Sequence, residues 1–186
     1  MKVYVLRHEI RSDDNSFNST LTKQGITYAI DLADRLHKLN IKTIYCSPFV
    51  RAIQTIHPYS IKYNVKINID YAVIEYIERP DILPERYNVL LTPDELSYWN
   101  INSSYCSSLT LQGLTRSFCN NFETMENIKY RTANFIDYLQ KTIIPSTNNG
   151  NILIVSHKTT IDCLWQHIHK KSRLLDMGEI DILCDL

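Results

Sequence analysis

Along the chain, short apolar runs alternate with longer stretches in which apolar residues recur every three or four positions. Lys2-Val3-Tyr4-Val5-Leu6 is of the first kind and predicts a buried strand. Ile26, Ala29, Ile30, Leu32, Ala33, Leu36 and Leu39 then mark one face of an amphipathic helix, with Thr22 as its cap. Lys42-Thr43-Ile44-Tyr45-Cys46 predicts a second strand. Ser47-Pro48 closes it and opens another helix, with Ser47 as N-cap and Pro48 at the first helical position, where a missing N–H is no loss. Val65 to Ile69 predicts a third strand, and Glu123 to Ile143 a long helix whose apolar set includes Ile128, Ala133, Phe135, Ile136 and Leu139. Asn151-Ile152-Leu153-Ile154-Val155 is almost wholly apolar, as in the centre of a parallel sheet. Thr159 to Lys170 reads as a helix and Glu179 to Cys184 as a last strand. This alternation predicts an α/β fold, a mainly parallel central sheet flanked by helices on both faces.

From about Ile74 to Thr110 the pattern weakens. Pro80, Pro84 and Pro93 among polar residues predict an irregular excursion with short helical pieces, the kind of long loop that forms a lid or a pocket wall. No linker divides it, so a single domain over 1–186 is expected, long enough for a sizeable core. The 20 basic and 20 acidic residues cancel, which removes any bulk attraction to nucleic acid or anionic membrane and makes any positive site local. No apolar stretch approaches the roughly 20 residues that span a bilayer. Partners among nucleic acids and membranes are therefore not expected. The first residues lack a secretory pattern, and the five cysteines (Cys46, Cys106, Cys119, Cys163, Cys184) are scattered without a Cys-x-x-Cys pair. That favours reduced thiols and a cytoplasmic setting over a disulfide framework or a zinc site.

Three predicted strand ends carry chemistry. Leu6-Arg7-His8-Glu9-Ile10-Arg11 lies where the first strand gives way to a polar loop, Ser47 and Arg51 follow the second, and Ser156-His157-Lys158 ends the apolar strand. Open α/β sheets bind ligands at the carboxyl ends of their strands. Arginine presents a planar fork of donors suited to phosphate oxygens, and histidine serves as nucleophile or proton carrier near neutral pH. If these strands are neighbours, two imidazoles and at least two guanidiniums converge. By contrast, His167 and His169 stand two apart on a helix and make a poor metal pair, and Glu123 at a helix opening reads as dipole compensation.

In order and spacing, Leu6-Arg7-His8, Leu21-Thr22-x-x-Gly25, Ser47-Pro48-x-x-Arg51-Ala52-x-Gln54-Thr55 and Val155-Ser156-His157 resemble the histidine phosphatase superfamily, also called phosphoglycerate-mutase-like. Arg7-His8-Glu9-Ile10-Arg11-Ser12-Asp13 and Tyr45-Cys46-Ser47-Pro48-Phe49 look like the branch of the ubiquitin-associated and SH3-containing phosphatases and ecdysteroid phosphatase, which carries an extra arginine three residues after the nucleophile, here Arg11. The resemblance implies a phosphomonoester phosphatase in which His8 forms a phosphohistidine, with Arg7, Arg11, Arg51 and His157 on the phosphate oxygens. It also implies a carboxylic acid after the third strand, for which Glu75 in Val73-Ile74-Glu75 fits and Glu78 is the runner-up. Neither a metal nor another cofactor is implied. The implied substrate is a phosphorylated small molecule or a phosphotyrosine-type protein. The alternatives are a mutase of the same fold, against which the absence of long insertions speaks, and a non-catalytic module that binds a phosphorylated ligand.

The chain departs from the family at two places, with Glu9 and Lys158 where glycine usually follows each active-site histidine. In the family those histidines face each other across the phosphate. An ion pair between Glu9 and Lys158 at the pocket rim is the resulting expectation.

Overall fold

The computed structural model describes residues 1–13, 18–77, 93–116, 122–143 and 150–186. Five strands, β1 (Lys2–Arg7), β2 (Ile41–Cys46), β3 (Ile67–Ile69), β4 (Asn151–Ser156) and β5 (Ile180–Asp185), form one sheet in the order β3-β2-β4-β1-β5. The first four run parallel, and β5 pairs antiparallel with β1 at one edge. The helices are α1 (Lys23–Lys38), α2 (Val50–Tyr63), α3 (Pro93–Tyr98), α4 (Leu111–Arg116), α5 (Met125–Ile143) and α6 (Lys158–His169), with a single 3₁₀ turn at Tyr71–Val73. None among the described residues is long and apolar enough to cross a membrane.

The period of two along each strand divides the interior into two cores. Leu6, Ile44, Cys46, Leu153 and Val155 face one side, where Leu32, Leu36, Ile53 and Ile56 of α1 and α2 cover them. Val3, Val5, Tyr45, Ile152 and Ile154 face the other, against Phe135, Ile136 and Leu139 of α5 and Ile161 and Leu164 of α6. Strand β4 is buried on both faces, which is why its sequence is apolar without alternation.

Register decides where the chemistry meets. Leu6 and Cys46 both pair with Val155, and Arg7 pairs with Ser156. His8, Ser47 and His157 therefore leave the sheet side by side.

Several boundaries differ from those read in the sequence. The third strand begins at Ile67 and not at Val65, because Asn64 leaves α2 in the left-handed region (φ 52°) and the Val65 N–H closes that turn on the Ser60 carbonyl. Helix α2 starts at Val50 behind Phe49, so Ser47 is not its N-cap and Pro48 is not its first residue. Glu123 precedes α5 and does not open it. Within the 74–110 excursion, α3 and a parallel bridge between Ile67 and Ile101 extend the β3 edge, and residues 78–92 lie outside the described set.

Candidate active site

Four of the residues singled out in the sequence meet at the carboxyl ends of β1, β2 and β4. The rings of His8 and His157 stand 5.1 Å apart, and both are buried. Glu75 Oε2 lies 3.1 Å from His157 Nδ1 and 3.6 Å from Arg51 Nη2. Arg51 projects from the first turn of α2, its guanidinium 4.3 Å from the centre of the Phe49 ring. Arg7 ends β1, with Nη1 donating to the Leu175 carbonyl at 2.9 Å, close enough to Glu75 for the two charges to be felt.

Hydrogen bonds settle the imidazole tautomers. His8 Nδ1 lies 2.8 Å from the Glu9 carbonyl oxygen, which only accepts, so Nδ1 carries the proton and the lone pair sits on Nε2. Ser47 Oγ accepts weakly from the Phe49 N–H (3.4 Å) and lies 2.8 Å from His157 Nε2. Because the Glu75 carboxylate 3.1 Å from His157 Nδ1 only accepts, the ring proton is on Nδ1 and Ser47 donates to Nε2. The serine read as a helix cap is thus a support for the second histidine, and that occupation is why the helix starts three residues later.

Charges follow from burial and neighbours. Burial first, then His157 and Arg51, lower His8 to about 3, so its imidazole is neutral at pH 7. His157 is lowered too, by burial, although Glu75 opposes the shift. Burial alone would raise Glu75, but His157 and Arg51 together outweigh it and hold the carboxyl at about 2. Arg7 is lowered by burial, with Arg11 adding to the effect. One ligand atom from each of His8, Glu75 and His157 falls within 4.8 Å of the others, a trio that a cation could share. The guanidiniums of Arg7 and Arg51 beside it make an anion the better match.

The motif residues around this centre act as fasteners. Thr55 Oγ1 accepts the Glu9 N–H at 3.0 Å and donates to the Arg51 carbonyl, tying the segment after His8 to the first turn of α2. Gln54 Oε1 accepts the Leu21 N–H, and Thr22 caps α1 by accepting from Gly25 N at 3.0 Å, as expected. A Cβ on Gly25 would fall 2.2 Å from the Ile10 carbonyl oxygen, so glycine lets α1 press against the loop that follows His8.

Not every expectation holds. Glu9 and Lys158 do not pair: Lys158 is exposed at the start of α6, whereas Glu9 is buried with its carboxylate over Gly178. Burial raises the Glu9 carboxyl, against the Ile10 N–H and the charge of Arg35. Gly178, in the loop before β5, donates its N–H to the Arg7 and His8 carbonyls and lies against the Glu9 carboxylate. Arg11 Nη1 donates to the Ser12 carbonyl at 2.9 Å, and its charge is felt at Arg7. Glu78, the other candidate acid, lies outside the described residues. Glu123 is no helix-dipole residue; it forms a buried ion pair with Arg131, at 2.5 Å from Nε.

Residues 7–78 match the family model described as the histidine phosphatase superfamily (branch 1). Over that stretch the chain is similar to the histidine phosphatase superfamily. Among solved structures, the ecdysone phosphate phosphatase from Bombix mori in complex with tungstate is similar to this chain with a TM-score of 0.73 and 16% identity, over 98% of this chain and 92% of that one. Alpha-ribazole phosphatase from Shigella flexneri gives 0.66 and 18%, over 97% and 88%. The mycobacterial glucosyl-3-phosphoglycerate phosphatase complexed with VO3 gives 0.66 and 15%, over 96% and 90%. At such identities the likeness is one of fold, and it extends over nearly the whole chain, including segments beyond the family match. No curated protein matches the sequence significantly.

Proposed function

We propose that this domain is a metal-independent phosphomonoester phosphatase in which His8 takes up the phosphoryl group. The observation that carries the reading is the convergence of a neutral, buried His8 with His157, Arg51 and Glu75 at three adjacent strand ends. The His8 Nε2 lone pair attacks phosphorus as the ester P–O bond breaks, and the departing oxygen takes a proton from Glu75. A water then gives its proton to Glu75 and attacks the phosphohistidine, and the P–N bond returns its electrons to Nε2. Arg7, Arg51 and His157 hold the non-bridging oxygens, whose charge must be stabilised throughout. Arg11 would join them by releasing the Ser12 carbonyl.

Glu75 is a carboxylate in the free site, so it must gain its proton with the substrate. A bound phosphate dianion offsets the pull of Arg51 and His157, and the Glu75 pKa rises as they turn to the phosphate.

The structural neighbours are named for phosphorylated small molecules, ecdysone phosphate and glucosyl-3-phosphoglycerate among them, and we extend that class to this chain. Pro48, next to the Ser47 that holds His157, opens on a cleft of about 220 Å³ bounded by Ile53, Ile69, Tyr71, Asn102 and Tyr105. Among the described residues no charged side chain lines it, which suits an uncharged alcohol portion. With Cys46 and Cys163 held as buried free thiols, we place the enzyme in a reducing, cytoplasmic compartment.

The test is hydrolysis of p-nitrophenyl phosphate with a chelator present, together with trapping of an alkali-stable, acid-labile phosphoryl adduct. Wild type should turn over and form the adduct, and His8→Ala should do neither. Absence of turnover would favour a binding module, and transfer to a phosphoglycerate acceptor in preference to water would favour a mutase.

A further inference from the structure

Glu75 sits on a segment with no regular structure, residues 74–77, and its side chain is 24% exposed, with one carboxylate oxygen accepting the Tyr76 N–H at 3.0 Å and the other facing Arg51 and His157. The backbone leading into it is held in turn: the carbonyls of Ala72, Val73, Ile74 and Glu75 all accept from side chains of other elements. Arg131 Nη1 donates to the Ala72 carbonyl at 2.6 Å, and its Nη2 to those of Ile74 (3.1 Å) and Glu75 (3.3 Å). Ser156 Oγ takes the Val73 carbonyl at 2.7 Å, and Thr160 Oγ1 takes the Ile74 carbonyl at 2.6 Å. Glu123 completes the frame: its carboxylate holds Arg131 through both oxygens and accepts the Ile77 N–H at 3.2 Å, while its own N–H donates to the Ile77 carbonyl. A buried strand or helix satisfies such groups within itself; here they are satisfied by a single buried arginine and two hydroxyls.

We infer that Arg131 and Thr160 are positioning residues for Glu75, setting the place from which its carboxyl meets the leaving oxygen. The inference rests on the reading of Glu75 as the general acid. Ser156 and Thr160 flank His157, so the frame that places the acid is continuous with the residues that place the second histidine. Arg131 is suited to this work because its five donors lie in one plane and can divide between a carboxylate and several carbonyls. A lysine at the same place keeps the charge but has one nitrogen, too few points of contact to reproduce the fork.

The test compares turnover on p-nitrophenyl phosphate, whose leaving group needs little protonation, with turnover on an alkyl phosphate, whose leaving group needs it. Thr160→Val and Arg131→Lys are the informative variants, since Arg131→Met strands the Glu123 carboxylate in the interior and threatens folding. With rates normalised to the folded fraction, both should lose alkyl phosphate turnover by about tenfold or more and keep most nitrophenyl turnover. In a Glu75→Gln background, Thr160→Val should then add nothing to the discrimination. Equal losses on the two substrates, or a further selective loss on the alkyl phosphate without Glu75, would show that the frame does not act through Glu75 and overturn the inference. Absence of discrimination in Glu75→Gln itself would remove the acid assignment and the inference with it. Discrimination in Glu75→Gln but not in Thr160→Val and Arg131→Lys would overturn the inference alone.

Discussion

Replacing Gly178 with alanine tests the most unexpected contact of the site. Gly178 has φ +72°, and its N–H donates to the Arg7 carbonyl at 3.0 Å and the His8 carbonyl at 3.3 Å. An L-residue in that region costs about 1–2 kcal/mol. The added Cβ would also fall 2.1 Å from Glu9 Oε1, 2.6 Å from Cδ and 2.8 Å from Oε2. Glu9 is only 5% exposed, so its carboxylate cannot swing aside freely. Overpacking of this kind costs about 1–3 kcal/mol more. The single variant should therefore lose about 2–5 kcal/mol, along with turnover, because the displaced backbone is that of Arg7 and His8. In a Glu9→Ala background only the conformational part remains, about 1–2 kcal/mol. Urea unfolding of the four proteins of this cycle measures the difference, an expected coupling of about 1–3 kcal/mol. If Gly178→Ala costs the same with and without the Glu9 side chain, the carboxylate does not rest on that glycine and the account of Glu9 fails.

Two further predictions concern charge. Arg11→Ala should weaken inhibition by phosphate or vanadate by about 10- to 100-fold, the loss of one charge-assisted hydrogen bond of about 1.5–3 kcal/mol; an unchanged inhibition constant would leave Arg11 on Ser12 and out of the site. The lowered pKa of His8, about 3 against an ordinary 6.5, means that the unfolded chain binds a proton which the folded one refuses between those values. Stability should accordingly fall as pH drops below 6.5, by up to about 1.4 kcal/mol per pH unit from this group, with Glu75 adding to the fall only below about 4.5. Urea midpoints between pH 7 and 5 should show a smaller slope for His8→Asn than for wild type, and equal slopes would contradict a neutral, buried His8.

What the sequence made legible was local or periodic. Leu6-Arg7-His8 and Val155-Ser156-His157 each join an apolar strand to a polar turn, and their convergence needed only the parallel register that apolar β4 implies. The apolar stripe of α1 and its Thr22 cap are likewise short-range signals. Residues whose partners are backbone carbonyls escaped, because a carbonyl leaves no mark on side-chain patterns. Arg131 is the main case, and Glu123 passed for dipole compensation since its partner lies eight positions on and turned inward. Ser47 was misread because a serine before a proline suits a cap as well as it suits a histidine. Glu9 could not be placed without the loop 174–178, which reaches it only through the antiparallel pairing of β5 at the far end of the chain.

The thiol nearest the site gives the arrangement one more consequence. Cys46 ends β2 directly before Ser47, fully buried, its Sγ–H donating to the Ser47 carbonyl at 3.3 Å and its pKa pushed up by burial. Peroxides and alkylating agents react with exposed thiolates, and this sulfur is neither exposed nor ionised. Among the described cysteines the exposed one is Cys106, on the segment beyond β3. A phosphatase built on His8 with such a neighbour would keep working through an oxidative burst that silences enzymes whose nucleophile is a cysteine.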